Sequence, residues 1–70
     1  MWIKTPTGEL INADRIRAFN IGDNNKSVVA VASSRTHICI GEYGNTKEAR
    51  DALEKISSAL KLGKNFLALD

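Results

Sequence analysis

The apolar period of this chain changes once, and that change sets what it can fold into. Up to about Tyr43 the apolar residues alternate or run in short β-prone stretches. From Asn45 onward Ala49, Ala52, Leu53, Ile56, Ala59 and Leu60 recur every three or four residues. The first pattern belongs to strands and the second to one amphipathic helix. With 70 residues the chain is a single domain, 1–70, read as a sheet over about 1–43, a helix over about 46–62 and an apolar tail over 66–70. The fold class expected is α+β: an antiparallel β-meander of four to five short strands followed by one C-terminal amphipathic helix packed on one face.

Turn chemistry places the boundaries. Pro6 stops the β-prone Trp2-Ile3-Lys4, and Thr7-Gly8 turns the chain back into Leu10-Ile11, a first hairpin over 1–13. Asn12 and Asp14 are suited to local Asx bonds, and the alternation breaks between Ile16 and Phe19, so a bend or bulge is expected near Arg15 to Arg17. Gly22-Asp23-Asn24-Asn25 is the strongest turn, leading into a strand from Ser27 to Ala32. Ser33-Ser34-Arg35 makes a second tight connection into Thr36 to Ile40, which ends at Gly41. Asn45 caps the helix, with Glu48 as the partner in a capping box, and Gly63 closes it in a left-handed conformation behind Lys61.

Alternation then assigns faces. Phe19, Ile21, Val29, Val31, Ile38 and Ile40 are expected to pack against Ala49, Leu53, Ile56 and Leu60. That leaves Val28, Ala30, Ala32, His37 and Cys39 on the opposite face, which is small and apolar where a solvated face is normally polar. Val28, Ala30, Ala32 and Cys39, together with Phe66, Leu67 and Leu69 of the tail, are therefore the expected interface of a homo-oligomer. In the alternative arrangement, the bend near Arg15 folds the first hairpin over this face as a half-closed barrel.

Three stretches carry a resemblance: Trp2-Ile3-Lys4 with Thr7-Gly8-Glu9-Leu10-Ile11-Asn12, then Ile40-Gly41-Glu42-Tyr43, then Asn45-Thr46-Lys47-Glu48-Ala49 with Leu53 and Ile56. Together they cover roughly two-thirds of the chain, and in them it resembles small uncharacterised proteins encoded by bacteria and their phages. Those proteins open on Trp and Gly-x-Leu-Val-Asn and close on Gly-x-Tyr-x-Thr-x-Glu-Glu-Ala. The chain departs from the pattern at Asn45, where Thr is usual, and in its Phe66 to Asp70 tail. The resemblance implies a sheet followed by one helix and a phage or mobile-element origin. It implies no catalytic residues.

The chemistry on offer is sparse. His37 and Cys39 point to one side of a strand, but zinc takes three or four ligands and the chain has one His and one Cys, so no metal is expected. The carboxylates fall in turns, on the helix surface and at Asp70, with no acid–base pair, and the glycines form no phosphate loop. No enzyme activity and no cofactor are expected. A lone cysteine makes no internal bridge, no apolar run approaches membrane-spanning length, and Met-Trp-Ile-Lys-Thr-Pro lacks the pattern of a secretory signal, so the expected location is cytoplasmic. Ten basic against eight acidic side chains give +2, which permits an anionic partner without demanding nucleic acid. The candidate ligand-binding residues are Arg15, Arg17 and Arg35 with the flat rings of Trp2 and Tyr43, because guanidinium forks and rings together recognise a phosphate and a base. The function expected is a non-catalytic binding protein that sequesters an anionic, nucleotide-like ligand or blocks a host defence protein. A nucleic-acid-binding regulator is the alternative, and a purely structural or interaction role the third.

Overall fold

The computed structural model describes residues 1–33 and 35–69. Ser34, inside the Ser33-Ser34-Arg35 connection, and Asp70, at the end of the tail, lie outside the described residues. The fold is α+β, as the change of period requires. It holds β1 (Trp2–Lys4), β2 (Leu10–Asn12), a single 3-10 turn (Ala13–Arg15), β3 (Ala18–Ile21), β4 (Ser27–Ser33), β5 (Thr36–Glu42), α1 (Thr46–Lys61) and β6 (Phe66–Ala68).

The strands form two three-stranded sheets rather than one continuous meander, in the orders β2-β1-β6 and β3-β4-β5. The second is the expected meander. The first is a hairpin extended by the tail, since β6 pairs parallel to β1 with Phe66 opposite Trp2 and Leu67 opposite Ile3. The tail is therefore an edge strand of the first sheet and not a free segment seeking a neighbour. Leu69 is 3% exposed and Leu67 packs against the core, which takes both out of the expected oligomer interface.

Local signals act where they were read. Gly8, with φ +93°, closes the Thr5–Gly8 turn, its N–H donating to the Thr5 carbonyl at 2.9 Å. Asn12 accepts from the Asp14 N–H at 3.0 Å and starts the 3-10 turn that makes the expected bend. At the head of α1 the Asn45 side chain accepts from the Glu48 N–H at 2.8 Å, while the Glu48 carboxylate reaches back to the Gly44 N–H at 3.1 Å. The helix ends on Gly63, at φ +66°.

Phe19, Ile21, Ile38 and Ile40 lie on the core side and His37 and Cys39 on the other, as alternation requires, but the faces of β4 are reversed. Across the β3–β4 turn Ile21 pairs with Val28 and Phe19 with Ala30, so Val28 and Ala30 face inward and are fully buried. Val29 and Val31 turn to the other face and stay half-exposed, beside the exposed His37 and Cys39. On β5 the register shifts between Val28 and Val29, which puts Ile40 into the chain as an extra residue. Ile40 and Gly41 consequently both turn inward, as neighbours in a β-bulge do. Val28 and Ala30 are thus core residues of one copy and unavailable to a second. The core joins them to Ile3, Ala13 and Leu69 of the first sheet and its flanks and to Ala49, Ala52 and Ile56 of α1. The helix and the first sheet therefore both lie against the Val28–Ala30 side, leaving the Val29–Cys39 side open. On the helix Ile56 is 1% exposed, whereas Leu60, expected inside, is 52% exposed.

Candidate functional site

The outer surface of the first sheet collects the exposed large side chains Trp2, Leu10 and Phe66. Ile3, Ile11 and Leu67 face the core in register, so alternation turns Trp2 and Lys4 of β1, Leu10 and Asn12 of β2, and Phe66 and Ala68 of β6 to the opposite side. Two rows result. Asn12, Trp2 and Phe66 lie side by side across the strands, and next to them Leu10, Lys4 and Ala68. Trp2 is 49% and Phe66 51% exposed, on strands spaced about 4.8 Å apart. The surface is flat and aromatic, with an ammonium group beside the rings and a side-chain amide at the end of the row.

Bonds on either side hold this surface in place. Trp2 N–H donates to the Asn65 carbonyl at 2.8 Å, and Ala13 N–H to the Met1 carbonyl at 2.8 Å. The terminal amine of Met1 meets the Asp14 carboxylate at 3.0 Å. These contacts fix the start of β1 between the 3-10 turn and the approach to β6, so the Trp2 backbone is positioned before any ligand arrives.

The five side chains proposed from sequence do not converge. Arg15 lies in the 3-10 turn and Arg17 just before β3, its N–H donating to the Val31 carbonyl at 2.8 Å. Arg35 sits in the β4–β5 connection, at the same end of the second sheet as Arg17, and all three guanidinium side chains are exposed. Tyr43 follows β5 at the other end, where its N–H donates to the Lys26 carbonyl at 2.8 Å. The length of β5 separates it from Arg35, about 20 Å at strand rise. Its ring lies over Gly41, close enough that a Cβ there would come within 2.8 Å of the phenol oxygen. That oxygen is buried without a hydrogen-bond partner among the described residues, and burial, followed by the charge of Cys39, raises the phenol's pKa above its ordinary 10.0. Tyr43 is a packing residue at the head of the helix and not a platform for a base. Of the expected set, Trp2 alone keeps an exposed ring.

Phe66, Leu10 and Lys4 were missed, although half the signal was local. Trp2 and Lys4 flank the buried Ile3, so their shared outward direction follows from strand parity. Phe66 joins them only through the parallel pairing of β6, which no local pattern announces.

His37 and Cys39 do share a face, in an open depression of ≈ 350 Å³ that Asn20, Asp23, Val29 and Val31 also line. The Cys39 thiol approaches the Gly41 carbonyl at 3.8 Å. Among the described residues no three His, Cys, Asp or Glu side chains are grouped as metal ligands, and no helix is long and apolar enough to cross a membrane.

Fold and surface together define a small α+β domain with one ring-bearing sheet face. No protein-family model, curated protein or solved structure matches the chain.

Proposed function

We propose that this chain is a non-catalytic, homo-oligomeric binding protein that takes a nucleotide-like anion on the outer face of the β2-β1-β6 sheet. One observation carries the reading: Trp2 and Phe66 stand in register on adjacent strands, each half-exposed, with Lys4 on the same face. Every nucleobase has a π-face, and a ring on a rigid strand stacks on it at little entropic cost. The Lys4 ammonium supplies the charge for a phosphate, and Asn12, whose Oδ1 accepts from the Asp14 N–H, offers its amide NH2 to a base edge or a ribose. The resemblance to small phage and bacterial proteins supports a phage origin, with the ligand, or a host defence protein, withheld from its normal user.

A nucleic-acid-binding regulator is the second reading, favoured by the same pair of rings, because side-by-side aromatics on neighbouring strands also stack successive bases of a single strand. Salt separates the two: backbone contacts lose affinity steeply as salt rises, while a single nucleotide on the face responds weakly.

Trp2 is the only tryptophan, so its fluorescence reports the face directly. Titration with mono-, di- and cyclic nucleotides and with short single-stranded DNA is expected to quench it saturably. Phe66→Ala should weaken the quenching ligand on the order of tenfold, the lower part of the range for removing one stacking partner, and Lys4→Glu should weaken it by reversing the charge beside the rings. Equal affinity in wild type and both variants would remove this face from function, and silence across the panel would replace the nucleotide with a protein partner.

A further inference from the structure

The second sheet ends at β3, and the backbone there has a free outward side. Gly22 N–H donates to the Ser27 carbonyl at 2.9 Å, and counting back by two along the antiparallel pair makes Asn20 and Ala18 the other residues bonded to β4. Phe19 and Ile21 therefore direct their N–H and C=O groups away from the sheet. Natural edge strands usually blunt such a row with charge or proline, yet Ala18-Phe19-Asn20-Ile21 contains neither. Alongside runs a groove of ≈ 390 Å³ between β3 and α1, lined by Arg17, Phe19, Leu53, Ile56, Ser57 and Leu60. Leu60 stands 52% exposed at its rim.

The charges flanking β3 say what fits. Arg17 precedes the strand and Asp23 follows it, at equal distance from Asn20. A second β3 running antiparallel about a two-fold axis at Asn20 sets Phe19 opposite Ile21 of the other copy, in phase to exchange N–H···O=C bonds. The same axis sets Arg17 opposite Asp23 of the other copy, once at each end. The strand is self-complementary in backbone phase over Phe19 to Ile21, and Arg17, whose own N–H turns back to the Val31 carbonyl, and Asp23 add complementary charge at its two ends.

We propose that two copies of this chain join edge to edge through β3, forming a continuous sheet over which the two α1 helices meet along Leu53, Ser57 and Leu60. The interface expected from sequence is replaced by this one, which needs none of the buried Val28, Ala30 or Leu69. The ring-bearing face of the first sheet takes no part, so the dimer stands or falls independently of nucleotide binding.

The test is sedimentation equilibrium of the full chain over low micromolar to hundreds of micromolar concentrations, with circular dichroism and melting to verify folding. Wild type is expected to dimerise. Arg17→Asp and Asp23→Arg should each weaken the dimer on the order of tenfold or more, by setting like charges opposite at both ends. The Arg17→Asp/Asp23→Arg double variant should recover most of that loss. Leu60→Glu, a change at a half-exposed position, should yield a folded monomer. A monomeric wild type, a double variant no tighter than the singles, or an undiminished dimer in Leu60→Glu would each overturn the proposal.

Discussion

The Leu69 N–H donates to the Lys4 carbonyl at 2.9 Å, which bonds the last described residue of the chain to its first strand. Leu69 thereby enters the core beside Ile3 instead of fraying, and the chain closes on itself. Leu69→Ala removes a large side chain that is 3% exposed, so it is expected to cost about 2–5 kcal/mol in lost transfer energy and cavity formation. Chemical denaturation would measure it. Phe66→Ala, one strand position before Leu67 and facing solvent, should cost much less, and equal losses at the two sites would mean that β6 is not held in this register.

The head of α1 offers a local test. Asn45→Ala leaves the Glu48 N–H without its side-chain acceptor and should lower stability by about 1 kcal/mol, with Asn45→Gly losing only a few tenths. Thermal melting of both variants separates loss of the cap from loss of backbone restraint.

Along the same helix, Ile56→Ala should destabilise by about 2–5 kcal/mol, because Ile56 is 1% exposed at the centre of the core. Leu53→Ala should cost clearly less in the monomer, since Leu53 is only half-buried. A reversed order in denaturation would rotate the helix by about one residue on its axis.

How far these elements were legible depended on how local their determinants are. The capping box at Asn45, the Pro6–Gly8 turn and the bend after Asn12 each involve residues a few positions apart, and each is where the sequence put it. The faces of β4 were not legible, because they depend on how many residues the Gly22–Lys26 turn consumes. One residue more or less flips every side chain. The bulge at Ile40 adds a second parity change on β5, and Gly41, the residue that marks it, reads equally well as the end of the strand. Phe66 could be seen as apolar but not as the neighbour of Trp2, since their pairing spans nearly the whole chain. The candidate site was half-legible for that reason: its Trp2 is local and its second ring is topological. Arg35 and Tyr43 share a set by side-chain chemistry alone, whereas they stand at opposite ends of one strand.

Tyr43 is the only tyrosine, so its ionisation can be followed alone by ultraviolet absorbance. Burial holds its phenol neutral in the folded state, with a pKa above 10.0. The folded protein therefore keeps its proton where the unfolded chain has lost it, and this group's contribution to stability is complete below pH 10 and declines as pH rises through that value. The titration midpoint should lie above 10 in native protein and return to about 10 in denaturant. Tyr43→Phe should abolish that part of the alkaline loss. At neutral pH the same variant removes a buried oxygen that has no partner among the described residues and should stabilise the fold by up to about 1 kcal/mol. A marked loss of stability in Tyr43→Phe would show that the hydroxyl is satisfied after all.

The reversed faces of β4 give the sharpest contrast, since Val28 and Val29 are adjacent, identical in chemistry and opposite in environment. Val28 is fully buried opposite Ile21 and Gly41, whereas Val29 is half-exposed beside Asn20 and Cys39. Val28→Lys forces an ammonium into a core that holds no acidic side chain among the described residues and should prevent folding at ordinary temperature. Val29→Lys places the same group on the open side of the sheet, where its stem lies along apolar surface and its charge reaches water, so the loss should stay within about 1 kcal/mol. The comparison needs only circular dichroism and a melt of each variant. A folded Val28→Lys beside an unfolded Val29→Lys would put the β3–β4 register one residue out.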